Sequence, residues 1–454
     1  MKFHELTAVR RFCRGAVFAC VVVGGGCSAL LDVDFKSRGI AVDARAPLDV
    51  DPRCATSCSA PVHGSPVCER ERCSFVCDEG YHIEQAACEA GDSIEPDVDA
   101  LPQAAPGWFQ TCAIAADRRL WCWGSGVAGA TGLGTSDERL VPTRVAGLSN
   151  MTSVASSAHS CASDDDGNAF CWGSNEAGQL GLGLRGNPVN LPQRIAALDD
   201  VAEVVTGAQF SCARTHSGDV YCWGSNEAGQ LGTGQTSNDV SSPTRVLGIE
   251  GARRLYAGGS HACVIASDWS IRCWGDNRFG QLAIGSAQTS ATSPVRAQGV
   301  GSVVRLAAAQ FSTCALKTNG DVLCWGQNDR GQAGQGMQSA TPEWEPRRVA
   351  GLRATGLAAG MDNFCARVAS GKVFCWGDNH GNFMGLLGAA TVATSPTEVA
   401  HLGDVLRLYA GDDNLCAVNR DNRLLCWGLN GYGEVGNGSK SSAAVSVPYL
   451  LPAL

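Results

Sequence analysis

The sequence predicts an all-β protein, a seven-bladed β-propeller preceded by a small disulfide-rich module. Three observations predict it. A Cys-Trp-Gly tripeptide recurs seven times, beginning at Cys122, Cys171, Cys222, Cys273, Cys324, Cys375 and Cys426, at an interval of 49 residues and then 51 five times running. A second cysteine stands ten residues before each, at Cys112, Cys161, Cys212, Cys263, Cys314, Cys365 and Cys416. The apolar segments between are short, rich in β-formers and broken by the 56 glycines, with no sustained 3.6-residue stripe.

Each unit reads as part of a blade. An apolar segment such as Val304–Ala309 leads into Cys314-Ala315-Leu316, a turn at Thr318–Asp321, and a return strand ending Cys324-Trp325. The residue three before each tryptophan is Leu120, Ala169, Val220, Ile271, Val322, Val373 or Leu424. The residue two before is Trp121, Phe170, Tyr221, Arg272, Leu323, Phe374 or Leu425. Successive side chains point to opposite faces, so both faces of this strand are expected to be buried, as in a blade packed between copies of itself.

A glycine-rich corner follows, as in Asn175-Glu176-Ala177-Gly178-Gln179-Leu180-Gly181-Leu182-Gly183. It lacks the lysine and the strand-to-helix setting of a phosphate loop, so its glycines read as turn chemistry. The first copy departs at Gly126 and the sixth at Asn382 and Leu387. The whole pattern, Cys-Ala-x(4)-Gly-x-Val-x-Cys-Trp-Gly-x-Asn-x-x-Gly-Gln-Leu-Gly-x-Gly, resembles the regulator of chromosome condensation repeat, over about residues 101 to 454. The resemblance implies a seven-bladed propeller, in agreement with the count. It also implies, as an alternative activity, nucleotide exchange on a Ran-type GTPase. The constant period leaves no room for a large wedge between strands, and no exchange-specific residue can be carried over.

A hairpin centred on the turn sets each pair of cysteines face to face. Opposed residues at a non-hydrogen-bonded position lie about 4.5 Å apart, inside disulfide range. Seven disulfides are therefore expected: Cys112–Cys122, Cys161–Cys171, Cys212–Cys222, Cys263–Cys273, Cys314–Cys324, Cys365–Cys375 and Cys416–Cys426. Buried thiols are the alternative; zinc is opposed by the absence of a recurring histidine. Twenty-three cysteines in all fit an exported chain better than a reducing cytosol.

The N-terminus agrees. Basic residues Lys2, Arg10, Arg11 and Arg14 precede an apolar run from Gly15 to Gly26, so residues 1–26 read as a signal peptide. Gly24-Gly25-Gly26-Cys27-Ser28 resembles a bacterial lipoprotein box, which implies lipidation at Cys27; Gly24 departs from its usual large aliphatic residue. Ordinary cleavage after Ala29 is the alternative. Residues 27–53 then form a tether. Cys54, Cys58, Cys68, Cys73, Cys77 and Cys88 make an even set within a module at 54–88 that resembles an epidermal-growth-factor-like domain, with open pairing. Residues 89–104 form an acidic linker, and the propeller occupies 105–454.

No catalytic constellation is evident, and neither a cofactor nor a metal is expected. His159 and His261 occupy a position that other blades fill with Gln110, Phe210, Ser312, Asn363 and Asn414, so they read as architecture. Asp164-Asp165-Asp166-Gly167 reads as an exposed turn, since it lacks a calcium loop's distal glutamate. The net charge of −9 opposes nucleic acid. The expected function is therefore non-enzymatic recognition of a protein partner by a monomer at the cell envelope, held to a membrane only through a lipid. The segments after the corners vary, and Trp269, in a hairpin turn, and Trp344, in the loop around Pro342–Glu345, are candidate anchors. Clustered acids or histidines at the channel mouth would instead favour a polysaccharide-acting enzyme; a ring of glycine, serine and aromatics would favour binding.

Overall fold

A computed structural model describes residues 102–454, except 286–287, 387–389 and 453. Before them it describes only the backbone of three two-stranded ladders: Phe18–Val23 with Gly26–Asp32, Gly64–Glu69 with Arg72–Cys77, and Tyr81–Glu84 with Ala87–Ala90. The chain divides into two compact units, Met1–Ser93 and Ile94–Leu454. Cys27 and the six cysteines of the N-terminal module lie outside the described side chains.

The second unit is a ring of seven four-stranded antiparallel sheets, each paired in chain order from its innermost to its outermost strand. Blade 5 is representative, with Val303–Ala308 innermost, then Ser312–Lys317, Val322–Asn328 and Ser339–Arg348 at the rim. Blade 1 begins at Gln103, two residues before the expected boundary. Among the described residues the only helical elements are two short 3-10 turns.

Every Trp-Gly strand is the third of its blade, and all seven tryptophans are buried. The expectation that both its faces are buried needs correction. The positions from Leu120 to Leu424 are buried in each blade, whereas those from Trp121 to Leu425 are half-buried. The latter sit opposite long side chains of the rim strand, such as Arg194 against Phe170 and Arg245 against Tyr221, which cover them incompletely.

All seven expected disulfides are present, with Cα separations of 4.0–4.2 Å. The register explains the common geometry. Ala115 N–H donates to Arg119 C=O, so residues 115 and 119 form a hydrogen-bonded pair. Alternation along the ladder then leaves Cys112 and Cys122 at a non-hydrogen-bonded position, where side chains come closest.

The blades are joined by one repeated bond. Each indole N–H donates to a main-chain carbonyl in the corner of the preceding blade: Trp223 to Gln179 at 2.8 Å, Trp274 to Gln230 at 2.9 Å, Trp325 to Gln281 at 2.8 Å and Trp376 to Gln332 at 2.9 Å. The corner asparagine braces that carbonyl's loop. Asn226 Oδ1 accepts from Leu231 N, and its Nδ2 donates to Gln235 O. Gln230 Oε1 accepts from Ala228 N. In the sixth corner Asn382 stands where other blades have glycine, at φ 57°, a conformation that asparagine tolerates; Leu387 lies outside the described residues.

No strand is exchanged to close the ring, because blade 1 is built wholly from the start of the propeller and blade 7 wholly from its end. Closure uses the same bond: Trp123 Nε1 donates to Glu434 O at 2.7 Å. Thr111 Oγ1 donates to that carbonyl at 2.9 Å and accepts from Asn414 Nδ2 at 2.9 Å. A shared core of Ala104, Trp123, Val418, Leu424, Val435 and Leu451 backs the seam.

Candidate channel-mouth site

The turn between a blade's first two strands and the corner after its third lie at the same end of the propeller. Main-chain bonds tie them together, such as Asp378 N to Asp362 O and Leu429 N to Asp413 O. The first turns of all seven blades surround a cavity of about 160 Å³ at the axis. Its wall is mostly glycine, alanine and serine, with Trp108, Gln310, Met361 and Asp412 among them.

Around this mouth each corner meets the turn of the next blade, and these meetings are where the blades differ. Between blades 4 and 5, Phe279 packs on Phe311 with centroids 5.0 Å apart. Arg278, paired with Asp276 at 2.9 Å, reaches the same ring. Between blades 5 and 6, Gln332 Nε2 donates to Asp362 Oδ1 at 3.3 Å, and Arg330 lies 3.6 Å from Asp378. Between blades 6 and 7, His380 Nδ1 contacts Asp378 Oδ2 at 2.5 Å while its Nε2 faces Asp413 Oδ2 at 3.7 Å. Between blades 7 and 1, Phe109 meets Tyr432 edge-on at 5.1 Å, with 44% and 39% of their surfaces exposed. Two aromatic pairs thus flank an acidic arc.

The acids are half-buried and close enough to perturb one another. Burial pushes Asp412 up to about 7, with repulsion from Asp413 and Asp362 adding to it and His380 opposing. Burial also raises Asp413, against the pull of His380, and raises Asp362, against the hydrogen bond from Gln332. Desolvation alone would lower His380, but the bond to Asp378 and the surrounding carboxylates hold it above its usual value.

The histidines singled out from the sequence do none of this. His159 is fully buried, with Nε2 2.6 Å from Ser211 Oγ and Nδ1 3.3 Å from Ser157 Oγ, and burial lowers it to about 3. His261 bonds Thr313 at 2.9 Å and is lowered by burial to about 4. Both stay neutral and bridge neighbouring blades. Trp269 is 53% exposed in the blade 4 hairpin, at the opposite end from the mouth, under Arg253. Trp344 is not in a loop. It lies in the outermost strand Ser339–Arg348 and half-buries its ring over Gly280, where an added Cβ would fall 2.9 Å from it. Sequence reasoning passed over Asp362, Asp412, Asp413 and His380. Aligning the first turns, Met361-Asp362-Asn363 and Asp412-Asp413-Asn414 against Gly259-Ser260-His261 and Gln310-Phe311-Ser312, would have shown acids confined to two adjacent blades.

The tryptophan-to-corner bond accounts for the residues of the repeat, and the repeat itself has a known counterpart. Two forms of the regulator of chromosome condensation (RCC1) repeat match the chain, one at residues 117–163, 166–214, 217–265 and 319–366, the other at 201–230, 253–281, 303–332 and 405–434. The chain belongs to the RCC1 repeat family. Among similar proteins, the ultraviolet-B receptor UVR8 of Arabidopsis thaliana is 27% identical over 275 residues, covering 58% of this chain and 61% of the receptor. The probable E3 ubiquitin-protein ligase HERC6 of Homo sapiens is 30% identical over 205 residues, covering 43% of this chain and 20% of the ligase. The chain therefore spans less than two thirds of these relatives. Prp20p of Saccharomyces cerevisiae superposes with a TM-score of 0.66 at 20% identity, over 79% of this chain and 90% of that one. Human WBSCR16 superposes at 0.63 and 24% identity, over 71% and 87%. At these identities the likeness to both structures shows the fold alone.

Proposed function

We propose that this RCC1-repeat chain is a non-enzymatic binding protein of the cell envelope, exported by its leader, anchored through lipid on Cys27, and recognising a protein with the channel-mouth face. The observation that carries the reading is the division of labour among its residues. The repeated cysteines, tryptophans, asparagines and glutamines are spent inside the scaffold. The mouth instead carries unrepeated, partly exposed groups, led by the Phe109–Tyr432 pair. Rigid aromatics on a fixed frame are efficient interface anchors.

The test is crosslinking in intact cells with the full chain, compared with Phe109→Ser/Tyr432→Ser and with Trp269→Ser. A partner lost with the first variant and kept with the second supports the reading. A partner lost only with Trp269→Ser moves the site to the opposite face. Labelling with a fatty-acid analogue tests the anchor, which Cys27→Ala should abolish.

The acidic arc with His380 favours a second reading, a polysaccharide-acting enzyme, because a half-buried carboxyl raised toward neutrality among other carboxyls is the pattern of a general acid. Release of reducing ends from acidic and neutral glycans, abolished by Asp412→Asn, would support it. Likeness to Prp20p motivates an exchange-factor assay; accelerated nucleotide release from a Ran-type GTPase would favour that role.

A further inference from the structure

Acceptor oxygens are left without donors in one sector of the mouth. The position that begins each second strand is bonded through both of its polar ends in blades 1 and 2, whereas His261 in blade 4 leaves Nδ1 without a partner. Gln110 donates to Ser157 O at 2.7 Å and accepts from Phe109 N at 3.3 Å, and His159 uses both nitrogens. In blades 6 and 7 only the donor half is used. Asn363, 1% exposed, donates to Asp412 O at 3.4 Å, and Asn414, 3% exposed, donates to Thr111 Oγ1. Asn363 Oδ1 and Asn414 Oδ1 have no partner, and neither has Asp412 Oδ1. The Asn363 amide presses against Gly360 of the cavity wall, where an added Cβ would fall 2.8 Å from Oδ1.

The half-buried carboxyls of Asp362, Asp412 and Asp413 beside these acceptors favour a donor carrying positive charge. The buried acceptors lie beside Asp362, Asp412 and Asp413, and the nearby basic groups, Arg330 and His380, are engaged with Asp378. Lysine and arginine are donors without acceptors, suited to such a set. A divalent ion suits it less. The one group of described residues with ligand atoms close enough for a metal is Asp378, His380 and Asp413. There the imidazole itself occupies the space between the two carboxylates.

We propose that the sector between Phe279–Phe311 and Phe109–Tyr432 receives a lysine- or arginine-bearing segment of the partner protein. Its cationic heads point at Asp362, Asp412 and Asp413, and its flanking apolar residues lie on the aromatic pairs. Charge complementarity selects this occupant, and the inference rests on the channel-mouth reading above.

The probes are the blocked peptides Phe-Lys-Lys-Phe and Phe-Glu-Glu-Phe, titrated by calorimetry into the mature full chain. The lysine peptide should bind, weaken as sodium chloride rises, and weaken about tenfold or more with Asp362→Asn/Asp412→Asn/Asp413→Asn. Asp165→Asn/Asp166→Asn, on a hairpin turn at the other end, should leave it unchanged. Salt dependence on the unaltered protein keeps the test valid should the triple variant misfold. Equal binding of both peptides, indifference to the triple variant, or binding of calcium chloride with indifference to the lysine peptide overturns the proposal. In cells, a partner lost with Phe109→Ser/Tyr432→Ser but kept with the triple variant leaves the face as the binding surface and overturns the cationic segment. A partner kept with both removes the face itself.

Discussion

Trp123 donates its indole hydrogen to the carbonyl of Glu434, 2.7 Å away in space and 311 residues away in sequence. This is the bond that joins every other pair of blades, reused across the seam where the chain ends meet. Many rings can be closed by lending a strand; here the last blade simply repeats the contact of the other six.

Since blades 1 and 7 come from opposite ends of the propeller's chain, side-chain bonds and the shared core hold this seam in place of a connecting segment. Trp123→Phe should cost about 1–3 kcal/mol in denaturant unfolding, from the lost hydrogen bond and part of the buried ring. It should also speed amide exchange in Gln103–Pro106. Trp223→Phe removes the same bond within the continuous chain. It should lower stability similarly and leave exchange in Gln103–Pro106 unchanged.

Each disulfide closes a loop of the same length, with partners ten residues apart. The loop-entropy model assigns roughly 2–3 kcal/mol to such a closure. Cys212→Ala/Cys222→Ala should therefore lower unfolding free energy by about that amount while the ring persists. Alkylation of the denatured, unreduced chain should leave all fourteen propeller cysteines unlabelled, the seven pairs seen here.

The blade 4 corner carries Ala283 where other blades have glycine, such as Gly181 and Gly232, and holds it at φ 52°. A left-handed alanine is costly, yet the Trp325 bond beside it is kept at 2.8 Å. Ala283→Gly should raise stability by about 0.5–1 kcal/mol, net of the glycine's extra freedom in the unfolded chain. Gly181→Ala should do the reverse, since its Cβ would fall 2.8 Å from Trp223 Nε1.

Asp412 predicts a pH dependence with a definite sign. Its folded value, about 7, lies above the unfolded value of 3.8. Stability attributable to this carboxyl is fully present below 3.8 and is lost as pH rises through about 7. Asp412→Asn should thus raise the melting temperature at pH 8, by about 2 °C, and the gain should vanish near pH 4. A gain independent of pH would show that the side chain acts through packing instead.

Much of this architecture was legible because repetition amplifies weak signals. One Cys-Trp-Gly would say little, whereas seven at a fixed period specify blade number, strand role and a single disulfide geometry. Trp344 shows the opposite case. It stands outside the repeat frame and was expected in a loop, but the rim strand Ser339–Arg348 continues through it and lays its ring on Gly280 of the neighbouring blade. The half-exposed row from Trp121 to Leu425 was likewise not separable from a buried row by hydrophobicity alone.

By itself the sequence determined the scaffold: seven blades, their cysteine pairs, and the tryptophan strand in each. Those features are local or periodic, set by side chains ten or fifty-one residues apart. Only the tertiary structure decided where Asp362, His380, Asp412 and Asp413 converge and which acceptors remain unpaired, and how Trp123 finds Glu434. Corner-to-turn contacts between successive blades set the first two, and return of the chain on itself sets the last. The first two depend on residues that differ from blade to blade, outside the repeat frame, and only closure of the ring brings Trp123 to Glu434.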